Sequence, residues 1–230
     1  MDASEPAPYP LPPIPGRVPA RERRVSVVTH PEATHHMEGL VGGQFDSELT
    51  ERGERDADAI AVALHDRIDR HARVGITTSD LRRTRRTSEV IARALGTEPM
   101  LDPRLREKSY GEAGGRPQSW LDGRFVPPPA VGDRLRHHDG VAGSETRLDV
   151  ACRVYEAMTE LLALDVDELV VVTHGFTAGL VVSAWIGMPI GAAGHVAFPV
   201  PSGSITTLRE DKYFHNRAVV TVGDVSHLRT

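Results

Sequence analysis

Two short apolar runs of this chain end in the same dipeptide, threonine followed by histidine. One run covers residues 25–28 and leads to His30, and the other covers residues 169–172 and leads to His174. Each predicts a short buried strand that stops at a histidine. Because ligands of an open parallel α/β sheet lie beyond the carboxyl ends of its strands, we expect the two imidazoles to share one pocket. A neutral imidazole can attack phosphorus through one ring nitrogen when the other donates to a fixed acceptor.

Other polar residues follow predicted strand ends and suit an anionic ligand. Arg82 and Arg83 lie at the start of a predicted helix, where backbone N–H groups also favour an anion. Adjacent helical residues point in different directions, so only one of the two arginines is expected in the pocket. Glu107 is an isolated carboxylate that would serve as a proton donor beside a desolvating pocket. Taken singly, each residue also fits a plain alternative: a hydrogen-bonded loop histidine, a solvated arginine or a surface glutamate.

The elements that must position these residues alternate between strand and helix. A helix is predicted from near Thr50, and another is predicted to be capped by Ser79 or Asp80 and to stop at Gly96. Further strands are predicted at 74–78, 204–209 and 217–222, and further helices at 146–163 and from Gly175 to about Trp185. This alternation predicts an α/β fold, a three-layer α/β/α sandwich with a mixed, mostly parallel central sheet. The irregular stretch 116–144 is predicted to be a lid or insert near the active site.

Composition narrows the class of protein. The 230 residues predict a proline-rich, extended or disordered tail at 1–22 and one catalytic domain at 23–230. A net charge of −5 argues against a nucleic-acid partner. A single cysteine, Cys152, favours a reduced, cytoplasmic setting, and the absence of an apolar run near ~20 residues argues against a membrane partner. The apolar stretch 184–190 suits either a homodimer contact or the core.

Five ordered motifs together resemble the histidine phosphatase superfamily, in its phosphoglycerate-mutase-like branch. The resemblance extends from Val25 to Val222. It rests on Thr29-His30-Pro31-Glu32, Asp46-Ser47-Glu48-Leu49-Thr50-Glu51-Arg52-Gly53, Ser79-Asp80-Leu81-Arg82-Arg83-Thr84-Arg85-Arg86-Thr87, Leu105-Arg106-Glu107 with Tyr110-Gly111, and Val172-Thr173-His174-Gly175.

The resemblance implies a metal-independent phosphatase that hydrolyses a small phosphorylated metabolite through a phosphohistidine intermediate. By position, His30 would be the nucleophile and Arg83 would bind the phosphoryl oxygens. Glu107 would protonate the leaving oxygen and then activate water, and His174 would donate a hydrogen bond to a non-bridging oxygen. Fixed cations and N–H groups can stabilise the charge, so no cofactor is expected. The further candidate substrate-binding residues are Thr29, Glu32, Arg82, His36 and Thr177.

Two departures from the family pattern weaken the expected phosphate pocket. Thr29 stands where the family places an arginine directly on the phosphoryl group, and Pro31 removes one backbone N–H from the turn. Loss of one transition-state donor can cost roughly a hundred- to a thousand-fold in rate. The candidates for compensation are Arg82, Arg86, Arg116, His35 and His36. Without compensation, the alternatives are an enzyme that performs acid–base chemistry on a non-phosphate substrate, or a catalytically idle binding or regulatory protein.

A metal site is the remaining interpretation of the histidine-rich segment. His30, Glu32, His35 and His36 are potential ligands, but their spacing matches none of the helix-based zinc motifs. We therefore expect no metal ion.

Overall fold

The computed structural model describes residues 9–13 and 22–228. The strands are β1 (Arg23–Thr29), β2 (Val74–Thr78), β3 (Pro99–Leu101), β4 (Glu168–Thr173), β5 (Ile205–Glu210) and β6 (Arg217–Asp224). The helices are α1 (Thr34–Met37), α2 (Glu51–Arg67), α3 (Arg82–Leu95), α4 (Gln118–Asp122), α5 (Arg147–Leu161) and α6 (Gly175–Trp185).

The six strands form one sheet in the order β3-β2-β4-β1-β5-β6. Strands β3, β2, β4 and β1 run parallel, and β5 runs antiparallel to both of its neighbours, β1 and β6. The predicted α/β fold with a mixed, mostly parallel sheet is therefore confirmed. Strands β1 and β4 are central neighbours, so both predicted histidine-bearing ends lie at the same edge of the sheet.

Helices cover both faces of the sheet, because successive strand residues point to opposite sides. On one face, Val28 and Val172 pack with apolar residues of α2 and α3. On the other face, Val27 and Val171 pack with α5 and α6. Burial on both faces explains why these strands read as continuous apolar runs rather than alternating ones.

Most helix ends agree with those predicted from local sequence signals, and one predicted helix cap is wrong. Thr50 caps α2 by accepting a hydrogen bond from the Gly53 N–H over 3.0 Å, and Gly96 ends α3 with a φ of 65°, both as predicted. The predicted capping of α3 by Ser79 or Asp80 is wrong, because the N-cap residue is Leu81. The Ser79 hydroxyl lies within hydrogen-bond distance of His174 instead.

The predicted insert and tail have more structure than their composition indicated. Within 116–144, α4 forms and Leu121 is buried against Val141. In the proline-rich segment, Tyr9 lies beneath the Arg136 guanidinium at 5.1 Å, and Pro13 is buried. The predictions for residues 1–8 and 14–21 lie outside the described residues.

The apolar stretch 184–190 contributes to the core, since Trp185 and Ile190 are buried. In the described part of the chain, no helix combines the length and apolar character that crossing a membrane requires.

Candidate active site

The catalytic-histidine candidates converge at the edge formed by β1 and β4. Thr29 and Thr173 are register partners in this parallel pair, so the residues that follow them leave the sheet side by side. The ring centroids of His30 and His174 are 5.1 Å apart. Both side chains are buried, with 6% and 0% exposure. The two predicted histidines therefore do line one site.

The hydrogen bonds of His30 define which ring nitrogen is free to act. Its Nδ1 lies 2.7 Å from the Pro31 carbonyl oxygen, which can only accept, so Nδ1 carries the proton in the neutral ring. Its Nε2 accepts a hydrogen bond from Arg83 Nε over 3.1 Å. The nucleophilic lone pair consequently faces the guanidinium, where a bound anion would lie.

Arg83 is the central cation of the site. Its side chain is 1% exposed and donates through Nη1 to the Phe45 carbonyl over 2.7 Å and through Nη2 to the Gly43 carbonyl over 2.6 Å. Nη2 also lies 3.2 Å from Nδ1 of His174. Within residues 22–228 no carboxylate forms an ion pair with it. A buried guanidinium with neutral partners alone retains a net charge for an incoming anion.

The loop that holds Arg83 depends on a glycine. Gly43 has a φ of 55°, in the left-handed region. A Cβ at this position would lie 2.6 Å from the Lys108 carbonyl oxygen. Only glycine satisfies both constraints without a shift of the backbone that supplies the carbonyl acceptor.

His174 is held between Arg83 and a residue that sequence reasoning treated only as a helix cap. Its Nε2 lies 3.0 Å from the Ser79 hydroxyl. A serine hydroxyl can donate or accept, so this contact accommodates either tautomer of the ring. With Ser79 donating to Nε2, Nδ1 would carry the proton that a phosphoryl oxygen requires. Ser79 is thus a site residue whose signal was its position at the end of β2.

Burial and charge keep both imidazoles neutral. Desolvation, with a further contribution from the Arg83 charge, lowers the pKa of His30 and of His174 well below 6.5. Desolvation also lowers the pKa of Arg83 to about 10, which leaves it cationic at neutral pH. The site therefore combines two neutral imidazoles with a fixed positive charge.

Glu107 lies at the N-terminus of α6, the helix that begins directly after His174. Its carboxylate accepts hydrogen bonds from the backbone N–H groups of Lys108, Phe176 and Thr177 over 2.9–3.2 Å. The hydroxyl of Thr177 also donates to this carboxylate, over 3.2 Å, and to the Arg106 carbonyl. These donors fix the orientation of the carboxylate. The structure thus places Thr177 as a partner of Glu107, whereas the sequence prediction listed it for substrate.

Arg153, which is distant from Glu107 in the sequence, binds the segment that carries Glu107. Its guanidinium donates to the carbonyl oxygens of Arg104, Arg106 and Glu107 over 2.6–2.9 Å. It also forms an ion pair with Glu145 at 2.9 Å. Sequence reasoning missed this arrangement, because Arg153 lies 46 residues from Glu107 and carries no local signal.

Thr29 makes its contacts on the β5 side of β1. Its hydroxyl donates to the Pro201 carbonyl over 2.5 Å and lies 3.1 Å from the Ser204 hydroxyl. It also accepts a hydrogen bond from the Ser204 N–H. The side chain is 2% exposed. Its hydrogen-bonding capacity is used by the protein, so the structure does not bring this hydroxyl to the anion site as the sequence prediction supposed.

The arginines considered for compensation are also engaged elsewhere. Arg82 is exposed and paired with Glu48 at 2.9 Å. Arg86 is paired with Glu54, and Arg116 lies over the Trp120 ring at 4.7 Å. Of the two adjacent helical arginines, only Arg83 enters the site, as the helix geometry predicted.

Histidines 35 and 36 do lie beside the nucleophile. The His36 ring is stacked on His30 with centroids 5.8 Å apart and an interplanar angle of 16°. Its Nδ1 accepts from the Ala33 N–H over 3.1 Å, so its Nε2 carries the proton in the neutral form. The His35 ring is 6.2 Å from His30 and its Nδ1 is 2.7 Å from the Ser47 hydroxyl. His36 therefore offers an N–H donor next to His30.

Glu32, the acidic residue among the potential metal ligands, is engaged by other partners. The Glu32 carboxylate accepts from the Thr50 hydroxyl over 2.8 Å and lies 3.9 Å from Arg52. This geometry directs Glu32 toward the start of α2. Across residues 9–13 and 22–228, no three histidine, cysteine or acidic side chains are arranged to hold a metal ion.

The fold and these residues are those of the histidine phosphatase superfamily. A sequence model of the histidine phosphatase superfamily (branch 1) matches residues 25–221, and the chain belongs to that superfamily. Probable phosphoglycerate mutase GpmB of Escherichia fergusonii is 33% identical over 218 residues, with 89% of this chain and 94% of that protein covered. Probable phosphoglycerate mutase GpmB of Cronobacter sakazakii is 34% identical over 215 residues, with the same coverage.

Solved structures share the fold. A mycobacterial glucosyl-3-phosphoglycerate phosphatase is 25% identical with a TM-score of 0.69, and the match covers 87% of this chain and 98% of that one. A complex of that enzyme with VO3 is 28% identical with a TM-score of 0.66, with 81% and 92% covered. Bacillus stearothermophilus YhfR matches at a TM-score of 0.72 and 24% identity, with 90% and 99% covered.

Proposed function

We propose that this protein is a phosphatase that hydrolyses a small phosphate monoester through a phosphohistidine on His30, without a metal ion. The observation that carries the proposal is the burial of Arg83 between two neutral histidines without an ion-pair partner among the described residues. An oxyanion would replace its hydrogen bonds to both rings and neutralise its charge. The mycobacterial phosphatase with the same fold supports hydrolysis as the reaction class.

The proposed reaction is a two-stage transfer of the phosphoryl group. Nε2 of His30 forms a bond to phosphorus while the bond from phosphorus to the alcohol oxygen breaks, and Glu107 gives that oxygen a proton. Water then attacks the phosphohistidine, Glu107 takes a proton from the water, and inorganic phosphate leaves with His30 restored. Throughout, Arg83 and a His174 tautomer protonated on Nδ1 would donate to the phosphoryl oxygens.

One observation favours a second candidate function. Thr29 offers neither charge nor a free hydroxyl, so the pocket holds one guanidinium where the family pattern implies two. A substrate with less negative charge than a phosphate ester would need fewer cationic groups to neutralise it. The second candidate is therefore acid–base chemistry on a non-phosphate substrate, with His30, His174 and Glu107 as the proton-transfer groups. A catalytically idle binding protein is the third possibility, and the experiment below separates the phosphatase from these two alternatives.

The test is a panel of phosphate monoesters with the intact protein, in the presence and absence of a chelator. The proposal expects turnover in both conditions, loss of turnover in His30→Ala, and a phosphorylated His30 peptide after a neutral quench. His65→Ala is the matched control, since His65 is exposed on α2. Turnover in His30→Ala, or turnover that the chelator abolishes, would overturn the mechanism. No turnover and no phosphohistidine, with vanadate still bound, would support the idle protein.

A further inference from the structure

A cavity of about 220 Å³ extends along α6 from the catalytic end of the sheet. At ~30 Å³ for each water-sized group, it has room for roughly seven such groups. Its walls come from α5, α6 and the segment that precedes β5, and they combine apolar side chains with those of Arg147 and Ser183. The lining residues are Arg147, Gly175, Phe176, Gly179, Leu180, Ser183, Val196, Ala197, Phe198 and Val200.

The lining of the cavity begins at two residues, Gly175 and Phe176, that adjoin the candidate catalytic residues. Gly175 directly follows His174, and the N–H of Phe176 donates to the Glu107 carboxylate over 3.0 Å. Ser183 lies eight residues beyond Gly175, which is about 12 Å along the helix. The cavity therefore extends along α6 from residues that adjoin His174 in the chain and Glu107 through one hydrogen bond.

Arg147 is the charged side chain among the residues that line the cavity. Its Nη1 donates to the carbonyl oxygens of Ala193 and Val196 over 2.5 and 2.9 Å. Its guanidinium lies over the Phe176 ring at 4.9 Å. In the described part of the chain it forms no ion pair with a carboxylate.

A second cation lies near Arg147. Arg134 donates to the carbonyl oxygens of Gly194 and Pro129 over 2.9 and 2.6 Å, and within the described ranges it also lacks an ion pair. Burial, together with the Arg134 charge, lowers the pKa of Arg147. The guanidinium of an arginine nevertheless remains cationic at neutral pH. A desolvated cation repelled by a neighbour favours an anionic ligand.

We propose that this cavity binds the alcohol part of the substrate, and that this part has a short apolar body and an anionic end group bound by Arg147. The inference rests on the proposed phosphatase function, since it assigns the phosphoryl group to the site of His30 and Arg83. The apolar walls would recognise the body by burial, at about 0.8 kcal/mol for each CH₂. Arg147 would recognise the end group by charge-assisted hydrogen bonds.

The test compares four esters: methyl phosphate, pentyl phosphate, 5-carboxypentyl phosphate and 4-sulfobutyl phosphate. The proposal expects kcat/KM to rise at least about tenfold from methyl to pentyl phosphate, and at least about tenfold again for an anionic end. Arg147→Met is expected to remove the preference for the anionic end, and Arg147→Lys to restore part of it. Arg124→Met is the matched control, because Arg124 also lies over an aromatic ring, that of Trp120 at 4.2 Å. It should leave the ratios between esters unchanged.

Substitutions that fill the cavity provide an independent test of the proposal. A Cβ at Gly179 meets nothing closer than the Phe198 nitrogen at 3.9 Å, so Gly179→Leu places its side chain in the cavity without a backbone clash. We expect it to abolish the preference for pentyl over methyl phosphate, and Ser183→Met to act in the same direction. Retained ratios in both folded variants, or equal loss on all four esters in Arg147→Met, would overturn the proposal.

Binding of the corresponding phosphonates, measured by calorimetry, tests the cavity assignment separately from the proposed phosphatase function. Absence of turnover with tighter binding of the long anionic phosphonate than of methylphosphonate would refute the phosphatase and retain the cavity assignment. Turnover of all four esters with equal phosphonate affinities would retain the phosphatase and refute the cavity assignment.

Discussion

Nε of Arg83 donates to Nε2 of His30 over 3.1 Å, so the cation and the nucleophile of the candidate site are already in direct contact. The same guanidinium lies 3.2 Å from Nδ1 of His174. One buried side chain thus occupies the space between both imidazoles. A phosphoryl group that binds here must take over these hydrogen bonds, which ties the orientation of the nucleophile to anion binding.

Replacement of Arg83 tests this coupling. Arg83→Met should lower kcat/KM for a phosphate monoester by at least about a hundredfold, because a transition-state donor is lost. It should also abolish vanadate binding. Arg83→Lys should recover part of the affinity for vanadate but little of the loss in kcat/KM, since one ammonium group cannot reproduce the planar fork of the guanidinium. Arg85→Met, on the exposed side of α3 where Arg85 pairs with Glu89, is the control for charge. Equal effects of the Arg83 and Arg85 variants would contradict the assignment.

The contacts of Thr29 predict that an arginine introduced there will not simply restore the family pattern. Thr29→Arg breaks the hydrogen bonds to Pro201 and Ser204, and a buried hydrogen bond left unmade costs about 1–3 kcal/mol. We expect a lower free energy of unfolding in urea. Thr29→Ser should keep most of the stability, and Thr29→Val should lose a similar amount to the arginine variant. A Thr29→Arg protein as stable as wild type would show that the side chain turns into the pocket.

His36 is the candidate for the missing donor. Its Nδ1 is held as an acceptor by the Ala33 N–H, and its ring is stacked on His30, so its Nε2 proton is available to a phosphoryl oxygen. His36→Ala should raise the vanadate dissociation constant and lower kcat by about tenfold or more. His36→Asn, with an amide donor, should recover part of the loss. His138→Ala, at an exposed loop position, is the control. Unchanged vanadate affinity in His36→Ala would rule this donor out.

The sequence predicted that the two histidines lie at strand ends, but it did not predict their hydrogen bonds. Strand ends at His30 and His174 follow from apolar runs and turn residues, which are local signals. Helix geometry limited the pocket to one of two adjacent arginines. It did not identify Arg83, because the choice depends on carbonyl oxygens of residues 43 and 45 and on the pairing of the other arginine with Glu48.

Long-range contacts account for what sequence reasoning missed. Ser79 meets His174 across 95 residues, and Arg153 holds the Glu107 segment across 46. The side on which Thr29 makes its contacts depends on the Pro201 carbonyl, which lies 172 residues away. The family pattern implied a pocket-facing residue at this position, and nothing near it in the sequence indicated otherwise.

The role of Glu107 can be tested through the leaving group. Removal of the proton donor should slow an alkyl phosphate far more than p-nitrophenyl phosphate, whose leaving oxygen needs no proton. Glu107→Gln should therefore lower kcat by about a hundredfold or more on the alkyl ester, within the usual range for general acid catalysis. On the nitrophenyl ester, the first step should be much less affected, as seen in the burst phase. Glu112→Gln, a nearby residue on the loop, is the control. Equal slowing of both esters would assign Glu107 a positioning role instead.

The neutral histidine cluster should make the fold sensitive to acid. Burial lowers the pKa of His35 from 6.5 to about 3, so below pH 6.5 the unfolded chain binds a proton that the folded protein excludes. The free energy of unfolding should therefore fall as pH falls through 6.5, by about 2 kcal/mol at pH 5 from this residue alone. His30 and His174 contribute in the same direction. Urea unfolding of His35→Gln should show a loss between pH 8 and pH 5 that is smaller by about that amount, whereas His65→Gln should match wild type. An identical pH dependence in wild type and His35→Gln would show that this ring is protonated in the folded protein.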